Sequence, residues 1–202
     1  MRVSHFAVGY ERDWADLVGS VASLVDAIVC LTLLFLPTTP ATGNRICIII
    51  VDPITCIFIY WALYRRLCDL RPMWAELGFY LLTAGTLFLA CRNVLEESAG
   101  LNLRTRNYST AYDFDIVLEI LVTLVLPFGL AIYAWLIASN PPLRRWLGFM
   151  IGLQAALLLI AFCSFAFPRL GDFVSSELCA VYAVILSVAK AVWFLSPVSG
   201  SK

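Results

Sequence analysis

The sequence predicts an all-α, polytopic transmembrane helix bundle, and three observations carry that expectation. Hydrophobic residues make up 61% of the 202-residue chain and charged residues 14%, with a mean hydropathy of +0.87; such a composition does not fit a water-facing surface. Six runs approach the roughly 20 mostly apolar residues that a helix needs to cross a bilayer core with its backbone satisfied internally. Proline, glycine and charged residues punctuate the chain between those runs.

The first run, 17–36, follows a polar-rich leader and carries Asp26, so it is expected to stay as an anchor rather than be removed as a signal peptide. The stretch 37–44 breaks it. The second run, 46–64, contains Asp52-Pro53, where the proline frees a carbonyl and bends the helix beside a carboxylate. After the breaker 65–72 comes the third run, 73–91, with Glu76 in its first turn and Arg92 just past its end. Residues 92–115 form the one connection expected to be long enough to fold over a cavity mouth. The fourth run, 116–138, carries Glu119 and stops before Asn140-Pro141-Pro142. The fifth, 146–167, ends at 168–171, and the sixth, 174–195, holds Glu177 and Lys190. No internal repeat or low-complexity tract is present, so 1–202 is expected to form a single membrane domain.

With six spans, the two termini and the second and fourth connections share one side. That side collects Arg2, Arg12, Arg65, Arg66, Arg71, Arg144, Arg145 and Lys202, against Arg45, Arg92, Arg104, Arg106 and Arg169 on the other. The excess predicts both termini in the cytosol. Trp14, Trp61, Trp74, Trp135, Trp146 and Trp193 fall near the cytosolic span ends, as an interfacial aromatic belt requires. Asn107-Tyr108-Ser109 is a glycosylation sequon in the connection on the opposite side. Together these place a multi-pass protein in the endoplasmic reticulum or another endomembrane.

Net charge is zero, from 14 basic and 14 acidic residues, and no basic run occurs, which gives a nucleic-acid partner no electrostatic basis. The one histidine, His5, leaves little room for imidazole chemistry. The seven cysteines form no Cys-x-x-Cys and read as small apolar packing residues. Phosphate-loop, dinucleotide, serine-hydrolase, zincin and paired-aspartate magnesium motifs are all missing, so no cofactor or metal is expected.

Acids inside spans cost several kcal/mol and are functional candidates by default. Asp26 lies mid-span with no cation in its own run, and Asp52 lies at overlapping depth, so the two can face one cavity. The plainer reading of Asp26 is a hydrogen bond that pins helix packing, and that of Asp52 is a bent helix end. Glu119 is expected to act as helper or base, or else simply to favour a helix N-terminus. Lys190 is read as a side chain reaching for the headgroups. A dry, aromatic-lined cavity disfavours the charged form of a carboxyl group and leaves it able to protonate an alkene or epoxide, with π faces stabilising the resulting cation.

Arg92, Glu96 and Gly100, followed by Tyr112-Asp113-Phe114-Asp115 leading into an apolar run, resemble a signature of fungal lipid-translocating exporter-like membrane proteins. There an Arg, a Glu and a Gly precede a Tyr-x-Phe-Asp at similar distance. The similarity covers residues 92–115 only, and that family is seven-helical. It implies an ion-pair network of Arg92, Glu96 and Asp115. In size and helix-only build the chain is also similar to small polytopic cyclases of fungal meroterpenoid pathways, an architectural likeness without a shared motif.

The functional expectation is a membrane enzyme that takes a hydrophobic prenyl or terpenoid substrate from the bilayer and cyclises or isomerises it by protonation, with Asp26 or Asp52 as acid. The alternatives are a small proton-coupled exporter or permease for lipids or amphiphiles, and a scaffold subunit whose acids pair with a partner.

Overall fold

The computed structural model describes residues 5–35, 47–99, 110–140, 145–166 and 176–196, with side chains over most of those segments. Among them there is no strand. The elements are α1 (His5–Phe35), α2 (Asp52–Leu67, entered through a π-helical turn, Cys47–Val51), α3 (Pro72–Ala99), α4 (Thr110–Ala138), α5 (Arg145–Ala166) and α6 (Ser176–Leu195). Three helical stretches, Trp14–Thr32, Pro72–Leu95 and Phe114–Ala138, are long and apolar enough to cross a membrane.

Each helix packs on its neighbours in the chain, and α6 returns to α1, so the six form a closed ring. The ring is inverted relative to a water-soluble bundle. On α1, Leu17, Val21, Leu24, Ile28 and Leu31 point outward while Ser20, Ser23 and Asp26 are buried. Apolar side chains facing out and polar ones facing in are the pattern expected where lipid is the solvent.

Turn chemistry sets the ring's corners. Between α2 and α3 the Leu67 carbonyl accepts the amides of Leu70 (3.0 Å) and Arg71 (3.4 Å), and Pro72 starts α3, where a missing N–H costs nothing. At the end of α4, Asn140 folds its side-chain amide back onto the Leu136 carbonyl at 2.6 Å and stops the helix before Pro141. Close helix approach depends on missing side chains. A Cβ at Gly148 would stand 2.7 Å from the Ala134 carbonyl oxygen and 2.8 Å from the Ala138 nitrogen, so only glycine lets α5 meet α4 this tightly.

One end of the ring is tied by a buried arginine. Arg66, 4% exposed, donates to the carbonyls of Trp193 and Ser196, each at 2.7 Å. Its guanidinium also lies 4.0 Å from the Trp193 ring centroid and its Nε 3.8 Å from Asp16. Trp193, expected in the interfacial belt, is thereby buried at 2% exposure, whereas Trp14, Trp74, Trp135 and Trp146 are exposed.

The long connection expected over 92–115 is helical at both of its described ends. α3 continues to Ala99 and α4 begins at Thr110, because hydrogen-bonded helix does not stop where the apolar run does, and neither Pro nor Gly interrupts 92–99. Likewise α1 begins twelve residues before its apolar run. Asn107 and its sequon lie outside the described residues.

Candidate functional site

All six helices contribute to one internal cavity of about 200 Å³. From α1 come Asp26 and Cys30, one turn apart; from α2 come Asp52, Cys56, Ile59, Tyr60 and Leu63, a single face at helical spacing. The π-helical turn ends at Val51 and Pro53 follows Asp52, so the irregular backbone borders this cavity. That is where membrane proteins tolerate it. Thr55 steadies the junction: its hydroxyl reaches the carbonyls of Val51 (2.9 Å) and Asp52 (2.8 Å).

Asp26 and Asp52 meet. A carboxyl oxygen of each and the Cys56 sulfur all lie within 4.8 Å of one another. Two carboxylates this close in low dielectric repel each other, and a proton shared between them relieves that repulsion. Ser187 Oγ donates a short hydrogen bond to Asp26 Oδ2, and the Lys190 ammonium stands 3.6 Å from the same oxygen. One lysine, two carboxyls and one shared proton make an electrically balanced cluster, the state that burial in low dielectric favours.

This corrects two expectations. Asp26 is not an acid without a cation: its counter-charge comes from α6, at the other end of the chain. Lys190 does not reach for the headgroups; it is 8% exposed and turned inward. A buried carboxylate within reach holds the ammonium more strongly than screened interfacial water does.

Three atoms of Asp26, Asp52 and Cys56 stand close enough to share a metal ion. Lys190 already brings positive charge beside that position, 3.6 Å from Asp26.

The rest of the lining divides into two walls. Tyr60 and Thr86 line the cavity beside Cys56 and extend the polar wall. Opposite it, α4 and α5 present Leu126, Leu130, Ile151 and Leu158, with Gln154 as the one polar side chain on that wall. Of the cavity-lining residues only Tyr60 is aromatic. The expectation of an aromatic-lined chamber is therefore corrected to an aliphatic one, the other rings being used for packing outside the cavity, such as Trp74 on Trp135 and Tyr64 on Phe79.

Glu119 is not at the cavity. It stands with Arg92 and Asp115 where α3 meets α4: Arg92 Nε donates to Asp115 at 3.2 Å, and Arg92 Nη2 is 3.6 Å from Glu119. Asp115 and Glu119 are four residues apart, so one helix face delivers both to the arginine. The Glu96 side chain, placed in the same network by resemblance, lies outside the described residues.

Ser187, Lys190, Cys56, Tyr60 and Gln154 were not candidates from sequence. A signal existed for the first two: Ser187 and Lys190 are three apart on one face, and Lys190 is the one basic residue within the six predicted apolar runs. Another was the repeated spacing Asp26-x-x-x-Cys30 and Asp52-x-x-x-Cys56. No family model, no curated protein and no solved structure matches this chain.

Proposed function

We propose that the chain is a six-span protein of an endomembrane, with both termini cytosolic, and an enzyme that isomerises or cyclises a hydrophobic prenyl or terpenoid substrate by protonation. Support for the span count comes from helix length. α5 and α6 have 22 and 20 residues, and α2 with its π turn runs from Cys47 to Leu67; at about 1.5 Å per residue each approaches the ~30 Å of hydrocarbon.

One observation carries the enzymatic reading: two carboxyl groups in close approach, one of them facing a single buried lysine at 3.6 Å, open onto an otherwise largely aliphatic cavity. The shared proton passes to a substrate alkene. The alkene's electron pair forms the new C–H bond, leaving a cation at the neighbouring carbon. As the proton leaves, the acid pair gains one negative charge, which Lys190 and Ser187 stabilise in place. An adjacent double bond closes on the cation, or a neighbouring C–H bond releases its proton to the pair; in either case the acid is regenerated once a proton returns. With one ring face, Tyr60, available to the cation, a short-lived cation and prompt proton return fit this cavity better than a long cyclisation cascade.

Such chemistry does not change mass. In extracts of the source organism, deletion of the gene is expected to remove one lipid-soluble compound and accumulate an isomer of equal mass. Asp52→Asn should restore membrane insertion but lower product by about 10²–10⁴-fold, the usual contribution of a positioned acid. Full product formation by both Asp26→Asn and Asp52→Asn would end the enzymatic reading.

A proton-coupled permease is the second reading, favoured by the Asp26–Lys190 tie between α1 and α6, which protonation of Asp26 would release. Flux that stops when the proton gradient collapses separates it from an enzyme, which works in detergent.

A further inference from the structure

The cavity's apolar wall contains one residue that packing does not explain. Gln154 sits midway along α5, between Arg145 and Ala166, and lines the cavity among Leu126, Leu130, Ile151 and Leu158. Its amide has two donor hydrogens and a carbonyl acceptor. It makes no hydrogen bond to any described residue. Gln154 is half-buried and lines the cavity, so its amide is open to pairing with whatever enters, which a leucine there would not be. The cavity is therefore where its partner belongs.

We infer that Gln154 is the headgroup subsite of this cavity, holding the neutral oxygen of a substrate that is otherwise hydrocarbon: a hydroxyl, carbonyl or epoxide. This rests on the reading of the cavity as a prenyl or terpenoid site and specifies which members of that class it takes. The charge pattern decides against a diphosphate. Lys190 is the one basic side chain lining the cavity, and it is engaged by Asp26. A multiply charged anion would meet two carboxyl groups and no uncommitted cation. A neutral oxygen needs only one donor or acceptor, and the Gln154 amide supplies either. Anchored there, the hydrocarbon chain lies along the leucines of α4 and α5, with its double bonds exposed to the acid pair across the cavity.

The test uses the purified full-length chain in detergent with two photoreactive probes of equal chain length: a diazirine-bearing farnesol analogue and the matching hydrocarbon without the hydroxyl. In the wild type, the alcohol should label peptides of α5 and α2 about 3–10-fold more efficiently than the hydrocarbon, as one net hydrogen bond implies. Gln154→Leu should bring alcohol labelling down to the hydrocarbon level, leave hydrocarbon labelling unchanged and not lower the thermal midpoint; Gln154→Asn should recover part of the alcohol preference. A side chain that served only the fold would instead lower the midpoint and move both probes together. Equal alcohol labelling of wild type and Gln154→Leu overturns the subsite while leaving the cavity reading intact. Failure of both probes to label wild-type cavity peptides overturns the prenyl reading and the subsite with it.

Discussion

Replacing Lys190 with methionine is expected to destabilise the protein by about 3–5 kcal/mol, the cost of leaving a buried charge without its partner. Asp26 is 6% exposed, and its Oδ2 faces the ammonium at 3.6 Å. Methionine fills similar volume with no charge, so the effect reports electrostatics rather than a cavity. Ser187 still donates to the carboxylate but cannot neutralise it. The double variant Asp26→Asn/Lys190→Met removes both charges together and leaves the proton on Asp52, so that no uncompensated charge stays in the cavity. It should recover most of the loss, because neutral replacement of a buried pair is often close to cost-free. Thermal midpoints of the four proteins in one detergent measure the coupling directly. Additive effects would mean that the two side chains do not share a charge, and the balanced cluster would fall.

The second large effect is expected at Arg66. Its guanidinium bridges two carbonyls at the C-terminal end of α6, where the last turn leaves acceptors unsatisfied and the helix dipole favours a cation. It also stacks on Trp193 and approaches Asp16. Arg66→Met removes two charge-assisted hydrogen bonds and the ring contact at once, although the Trp193 carbonyl keeps the Ser196 amide at 3.1 Å, for an expected loss of about 3–5 kcal/mol. Arg66→Lys should rescue little, since a compact ammonium cannot span both carbonyls in the plane of a fork or stack flat on the ring. The check is the thermal midpoint together with protease access to the C-terminal end of α6, which should rise in both variants. A lysine variant as stable as the parent would reduce Arg66 to a point charge.

What the sequence disclosed follows from which forces act locally. Apolar runs located the helices to within a few residues where Pro or Gly ended them, as at 145–166 against the expected 146–167. Ends failed where helix continued into polar sequence, as at Ala99 and Thr110, because backbone hydrogen bonding is indifferent to the hydrocarbon boundary. Asp26 and Asp52 were legible as isolated acids in oil, and their positions along the runs put them at overlapping depth. Rotation about each helix axis was not legible. It decided that Glu119 faces Arg92 instead of the cavity and that Lys190 turns inward, and it brought Gln154 to the cavity. Rotational phase is set by packing across the ring, as where Gly148 admits the Ala134 carbonyl, and such long-range contacts leave no periodic trace in a chain that is apolar on nearly every face.

One proton is expected to be held between Asp26 and Asp52 at neutral pH. Infrared difference spectroscopy on protein carrying carboxyl-¹³C aspartate tests it. The expected spectrum shows the carbonyl band of a protonated, strongly hydrogen-bonded aspartic acid, shifted by deuterium exchange and absent from Asp52→Asn protein with Lys190 intact. A wild-type spectrum that matches the Asp52→Asn spectrum, with both aspartates fully ionised, would contradict it.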